Sequence, residues 1–279
     1  MFTHYRRALE SCQPYLLATQ EISPLLELAP LGIDLQDKGL ILDPQARKNE
    51  VFLHLLQQLD RLNFGTLGMA MPKWVFYDCG IMPSAVFGFC GPAASLEPWV
   101  RRALKVPEDY DGPVPLSIFI AIPMLENGSW FTHTLCTLNQ ACTGAAPEGL
   151  VMLSLALGVR ILKIQTLYGA TQWRNPRLGS FVSIGPLQLL TAYTPSHSVV
   201  RTLTWKLRLR RFLVEAALIS PSTSSDAPPA THMLDVDDVT ALIALQRDLE
   251  AGIHYAIVGR PTVRGSIVQV PLHRGALEQ

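Results

Sequence analysis

Three stretches of this chain carry residue types from which chemistry can be built. The first is QACTGAA, Gln140 to Ala146, a run of small residues with a glycine just ahead of an apolar segment. Backbone N–H groups at such a turn lie open near a helix N-terminus, where a phosphate or another anion is favoured. Gln140, Thr143, Gly144, Ala145 and Ala146 are therefore candidate phosphate-holding residues. The same letters also describe a plain strand-to-helix turn, with Gly144 making the bend, Thr143 capping the helix and Glu148 in its first turn. The second stretch is YGATQWRNPR, Tyr168 to Arg177, where a strand end is followed by a hydroxyl, an amide, an indole and two guanidinium groups. Gln172, Trp173, Arg174 and Asn175 could hold a ligand through an arginine fork and a flat apolar face. The competing reading has Trp173 plugging the core beside solvated arginines.

The third stretch is WFTHTLC, Trp130 to Cys136. On a strand, His133 and Leu135 share one face while Thr134 and Cys136 share the other, so His133 and Cys136 do not converge as a metal or nucleophile–base pair. Alone, His133 suits a general base at neutral pH, and it equally suits a satisfied, half-buried histidine. Cys79, Cys90 and Cys142 lack metal-ligand spacing, and no metal site is expected. Ser196 and His197 are adjacent in YTPSHS, without a nucleophile elbow. FGFCGP matches neither a dinucleotide fingerprint nor a P-loop.

These residues need elements to hold them. Val51, Phe52, Leu55, Leu56, Leu59 and Leu62 predict a helix capped by Asp43 with Pro44 in its first position. WVFYDCGIMPSAVFGF reads as two strand-like pieces, and SLEPWVRRALK as a short helix capped by Ser95. Glu126-Asn127-Gly128 between two strand-like runs predicts a hairpin. A helix is expected from about Pro147 to Leu157, closed by Gly158, followed by a strand in VRILKIQTLYG. PLQLLTAYTP and VVRTLTWKLRLRRFLV predict two further strands joined through residues 195–198, and the alternating WKLRLRR a strand with one solvated face. Asp237 or Asp238 caps a helix carrying Val239, Leu242, Ile243, Leu245 and Leu249, ended by Gly252. IHYAIVG and SIVQVPL form a terminal hairpin across RPTVRG. Hairpin signals outnumber strand–helix–strand units, so the class is α+β, with a largely antiparallel mixed sheet flanked by helices.

From Pro115 the order is hairpin, small-residue turn, helix, strand, short segment, two strands. In this order, over about residues 115–208, the chain resembles the GCN5-related N-acetyltransferase superfamily. QACTGAA stands where that family has Gln/Arg-x-x-Gly-x-Gly/Ala, and NPRLGSFVSIGP where it has Asn-x-x-Ala-x-x-Leu-Tyr and a glycine. Asn175 matches the latter, Leu178 and Phe181 replace the Ala and Leu, and Gly185 comes one position early. The loop is one residue longer than the motif, Val182 occupies the place of the frequent tyrosine acid, and Glu148 would repel a phosphate. The resemblance implies an acyl-CoA N-acyltransferase-like fold, and acetyl-CoA or another acyl-CoA as co-substrate, its pyrophosphate held by residues 140–146. It also implies direct attack of an amine on the thioester. We assign His133 as base and Tyr168 as acid on that reading. An apolar-ligand-binding protein without catalysis, or a subunit of a larger assembly, is the alternative.

The 279 residues include 23 Lys plus Arg and 23 Asp plus Glu, so a formal net charge of zero gives no basic excess for nucleic acid. Apolar residues make up 48% and charged ones 16%, which suggests a surface partly covered, for example in a homo-oligomer. The start lacks an apolar signal core, no apolar run reaches the ~20 residues of a membrane span, and five irregularly spaced cysteines suit reduced thiols in the cytoplasm. The expected organisation is a main domain over 1–219, helical at 1–65, a linker or mobile loop at 220–231, and a C-terminal helix and hairpin over 232–279.

Overall fold

The computed structural model describes residues 3–18, 27–28, 33–34, 39–81, 86–175, 177–193, 201–209 and 227–277. They divide into two compact units, one of residues 1–122 with 133–163 and one of residues 123–132 with 164–279. The class is α+β, with strands paired antiparallel in all but two cases among the described residues.

In the first unit, α1 (Thr3–Ser11) leads into β1 (Gln13–Leu17), with β2 (Glu27–Leu28) and β3 (Ile33–Asp34) forming a small separate pair. β4 (Leu40–Leu42) lies parallel to β1. α2 (Glu50–Phe64) buries Phe52, Leu55, Leu56 and Leu59 of the stripe read from sequence, and Leu53 besides, with Val51 and Leu62 half-buried. It starts later than the Asp43 cap implied: the Asp43 carboxylate instead accepts the Gln45 N–H at 2.9 Å, and a 3-10 turn at Arg47–Asn49 intervenes.

α3 (Lys73–Ile81) replaces the first expected strand piece. Its Trp-Val-Phe-Tyr run has strand propensity, but the site is helical and buries Phe76 while Trp74 stays 62% exposed. Packing has overridden local preference. β5 (Val86–Pro92) follows, antiparallel to β1 with Tyr15 opposite Gly88. A Cβ at Gly88 would stand 2.2 Å from the Ser117 carbonyl oxygen, so only glycine lets the backbones approach there. α4 (Pro98–Leu104) starts at its proline, with Glu97 rather than Ser95 at the cap position. The Ser95 hydroxyl donates to the Pro92 carbonyl instead, at 2.8 Å. β6 (Pro113–Pro115) and β7 (Ser117–Pro123) both pair with β5.

The Glu126-Asn127-Gly128 turn joins β7 to β8 (Ser129–Thr137), with Gly128 at φ +75 and the Ser129 N–H bonded to the Glu126 carbonyl at 3.0 Å. Residues 129–132 of β8 belong to the second unit and 133–137 to the first. α5 (Leu138–Ala141) and α6 (Leu150–Leu162) complete the first unit. Gly158 does not close α6. The helix runs through it to Leu162, and an added Cβ at Gly158 would lie 2.2 Å from the Phe87 ring and 2.6 Å from that of Phe119. The glycine is there for aromatic packing against the helix, and the following strand starts only at Thr166.

In the second unit, β9 (Thr166–Gln172) lies parallel to β8 from Ser129↔Thr166 to Thr132↔Gly169. After α7 (Leu178–Val182), β10 (Leu187–Thr191) pairs with β11 (Thr202–Arg208), which pairs with β9 along its whole length. Trp205, Leu207 and Leu209 are buried while Arg208 is exposed, the one solvated face expected of WKLRLRR. β12 (His232–Asp235) precedes α8 (Val239–Glu250), which Asp238 caps by accepting the Ala241 N–H at 3.0 Å. β13 (Tyr255–Ile257) pairs with β15 (Ile267–Arg274) as the terminal hairpin requires, and RPTVRG supplies a further strand, β14 (Thr262–Arg264), on β15. The connection at 195–198 and most of the expected linker, 220–226, lie outside the described residues.

Candidate functional site

The connection from β8 to α6 is built by an amide clamp. Asn139 accepts the Ala146 N–H on its Oδ1 at 2.8 Å and donates from Nδ2 to the Ala146 carbonyl at 2.7 Å. The Ala145 N–H is bonded to the Cys142 carbonyl at 3.0 Å. Of the five residues singled out from sequence, Gln140, Thr143 and Gly144 are exposed, and Ala145 and Ala146 are half-buried with their N–H groups already used. Gly144 has φ +77 and nothing within 4 Å of where a Cβ would be, so it faces open space at the crest of the loop.

Thr143 does not cap α6. The cap position is Gly149, at φ +85, and Pro147 and Glu148 precede the helix. No side chain caps α6, whose first backbone bond runs from the Leu153 N–H to the Gly149 carbonyl at 3.0 Å. Gly149 is needed for a second reason: an added Cβ would meet the Tyr5 ring at 2.4 Å. Tyr5 is 6% exposed, and its burial raises the phenol's pKa. Asn139 and Tyr5 escaped the sequence reading because one acts over seven residues of loop and the other across almost the whole first unit.

His133 stands on the outer face of β8, with Thr134 and Cys136 buried on the other side. Its Nδ1 lies 3.1 Å from the Thr134 hydroxyl, and partial burial of the ring lowers its pKa, favouring the neutral imidazole. Asp60 of α2 was not anticipated. It is fully buried, its Oδ2 accepts the Met71 N–H at 2.6 Å, and its Oδ1 has no partner among the described residues. Burial pushes its pKa up to about 6. The Thr134 hydroxyl touches the Met71 sulfur at 3.8 Å, so Met71 is in contact with both side chains.

In the second unit, Tyr168 is half-buried on β9 with the Lys206 ammonium 5.5 Å from its ring centroid. Trp173 is the core plug of the two readings: it is 1% exposed, and its indole N–H donates to the Ala192 carbonyl at 2.7 Å. Asn175 is also engaged, donating to the Thr171 hydroxyl at 2.7 Å and accepting the Arg177 N–H at 2.9 Å. Gln172 is half-buried at the end of β9. Arg174 is exposed and binds the Asp237 carboxylate through both Nε and Nη2, with Nη2 also donating to the Ser266 carbonyl at 2.9 Å. That pairing holds Asp237 below the usual carboxylate range, helped by Arg201 at 3.7 Å. The same region lines a pocket of about 300 Å³.

Among the described residues no group of three His, Cys, Asp or Glu side chains could hold a metal, and no helix is long and apolar enough to cross a membrane. No family model matches the sequence. No curated protein matches it either. Solved structures do. The chain is similar to a chain in the crystal structure of the NatC complex bound to Gag peptide and CoA, at 10% identity and a TM-score of 0.40, over 60% of this chain and 97% of that one. It is also similar to a GNAT-family acetyltransferase from Bacillus anthracis, at 8% identity and a TM-score of 0.36, over 58% and 90%. Neither likeness is close enough to assign a fold family or an activity.

Proposed function

We propose that the chain is an acyl-CoA-dependent N-acyltransferase-like protein that moves an acyl group from a CoA thioester to an amine. The observation that carries this reading is the β8–α6 connection. An exposed loop with a left-handed glycine at its crest delivers the chain to a 13-residue helix whose N-terminus no side chain caps. Uncapped N–H groups and the positive end of the helix dipole favour a phosphate. The element order from β7 to β11 and the parallel return of β9 beside β8 support the same reading.

Within the loop, the Ala145 and Ala146 N–H groups are occupied, so the phosphate-holding role concentrates on Gln140, Thr143, Gly144 and the first turn of α6. His133, whose partial burial favours the neutral imidazole, is suited to take the proton that the amine nitrogen loses as it attacks. Tyr168 keeps the role of acid towards the departing thiolate, and Gln172, half-buried at the end of β9, that of meeting the acceptor, since Trp173, Arg174 and Asn175 are engaged within the fold. The thioester carbon forms its bond to the amine nitrogen as the C–S bond breaks, and coenzyme A leaves as the thiol once protonated.

Thermal unfolding with and without acetyl-CoA and free coenzyme A tests the reading. A ligand at ~100 times its Kd stabilises by roughly 2.7 kcal/mol, a Tm rise of a few degrees. Both compounds should produce it, because the shared pyrophosphate carries the binding. No rise with either at saturating concentration would return the loop to a plain turn.

A further inference from the structure

β8 carries His133 and Thr134 as neighbours, and both lie in the first unit together with Met71 and Asp60. Alternation along the strand sends the two side chains to opposite faces. The His133 ring nevertheless turns back, with Nδ1 3.1 Å from the Thr134 Oγ1. That oxygen has a second contact, the Met71 sulfur at 3.8 Å. Thr134 is only 5% exposed, so its hydroxyl has to find its partners within the protein.

Donor and acceptor chemistry decides where the protons sit. A thioether has no proton to give and can only accept, whereas a hydroxyl has one proton and two lone pairs. With the Thr134 proton directed to the Met71 sulfur, Oγ1 is left to accept from a His133 Nδ1–H, and both capacities of the buried oxygen are used. With that proton directed to Nδ1 instead, the lone pairs of Oγ1 stay empty and the sulfur loses its donor. The first arrangement satisfies more groups, and each bond in it polarises the next. Asp60 holds the far end: its Oδ2 accepts the Met71 N–H at 2.6 Å and fixes the backbone from which the thioether projects.

We propose that Thr134 is the positioning residue of His133, holding the imidazole as its Nδ1–H tautomer so that Nε2 carries the free lone pair. This rests on the reading of His133 as base and adds which nitrogen does the work. Nε2 takes the proton that the amine nitrogen loses as it attacks. The ring becomes an imidazolium whose Nδ1–H stays bonded to Oγ1, so the ring need not turn during transfer.

Proton–nitrogen NMR correlation of the histidine rings, on the full chain at pH 8 without coenzyme A, reads the tautomer directly, because a protonated ring nitrogen resonates far from a bare one. His133→Gln identifies the signals among the seven histidines. In the parent, Nδ1 is expected to be protonated and Nε2 bare. Thr134→Ser keeps the hydroxyl and should keep that pattern. Thr134→Val removes the acceptor and should pass the proton to Nε2, the form that free histidine prefers. Met71→Leu roughly conserves volume, leaves Nδ1 as the acceptor for the hydroxyl proton and should do the same. Lying on another segment, it also serves if Thr134→Val does not fold. A protonated Nε2 in the parent, or the parental pattern in Thr134→Val or in Met71→Leu, would overturn the proposal. If the pattern holds but coenzyme A fails to stabilise the chain, the role of base falls and the tautomer assignment stands.

Discussion

At the residue scale the most consequential side chain is one with a chemical cost attached. Asp60 is fully buried, has one bonded oxygen and one without a partner among the described residues, and titrates at about 6 instead of the ordinary 3.8. A raised carboxyl pKa means that the folded chain binds the proton more tightly than the unfolded chain does. Stability therefore falls as pH rises from about 4 to about 6, and the loss is complete above that window. The contribution is on the order of 3 kcal/mol. Asp60→Asn keeps an acceptor for the Met71 N–H and has no charge to bury. It should be more stable than the parent at pH 8 and close to it at pH 4, as read by denaturant unfolding at both values. A variant less stable than the parent at pH 8 would show that the charge is compensated. None of this was visible in the letters LDRLNF, because burial of a polar residue on an amphipathic helix depends on what the helix packs against. Trp173 illustrates the opposite case: its sequence context allowed a ligand platform and a core plug, and the Ala192 bond and near-complete burial select the plug.

At the element scale, periodicity was informative wherever one face of an element meets water. Leu242 and Leu245 of α8, the β10–β11 pair and the alternating residues of WKLRLRR stand where their patterns put them, although Val239 and Ile243 of α8 are exposed. It failed where an element is buried on more than one side or where a residue's reason is tertiary. α6 buries every residue from Leu150 to Val159, so its sequence has no polar stripe to mark its phase or its end. Gly158 then looks like a stop signal when it is a contact surface for two phenyl rings. Gly158→Ala should destabilise the fold by about 1–3 kcal/mol through overpacking, although alanine is the better helix former. The midpoint of urea unfolding checks this, and a stabilised variant would contradict the packing account. Gly169 makes the same point on β9, where an added Cβ would lie 2.3 Å from the Trp205 ring.

At the scale of the whole molecule, the α+β class and the antiparallel bias followed from the count of hairpin signals, which are local. The two parallel pairings, β1 with β4 and β8 with β9, join strands far apart in sequence and leave no short-range mark. The candidate site was legible in part for the same reason. The exposed, glycine-crested loop ahead of a helix could be read from QACTGAA. The clamp by Asn139, the cover of Tyr5 over Gly149 and the buried acid on α2 could not, because each depends on a partner that sequence spacing does not reveal.

The central claim, that Gln140, Thr143, Gly144 and the start of α6 hold the pyrophosphate of coenzyme A, is tested most directly by one calorimetric comparison. Gly144 sits at φ +77 with open space around it, so Asn and Asp, which tolerate that conformation at similar cost and size, differ there essentially in charge. Titration of coenzyme A into Gly144→Asn and Gly144→Asp should give near-parental affinity in the first and a Kd at least about tenfold weaker in the second, as expected for a carboxylate placed against a phosphate. Equal affinities in the two variants, or no coenzyme A binding by the parent chain, would contradict the account.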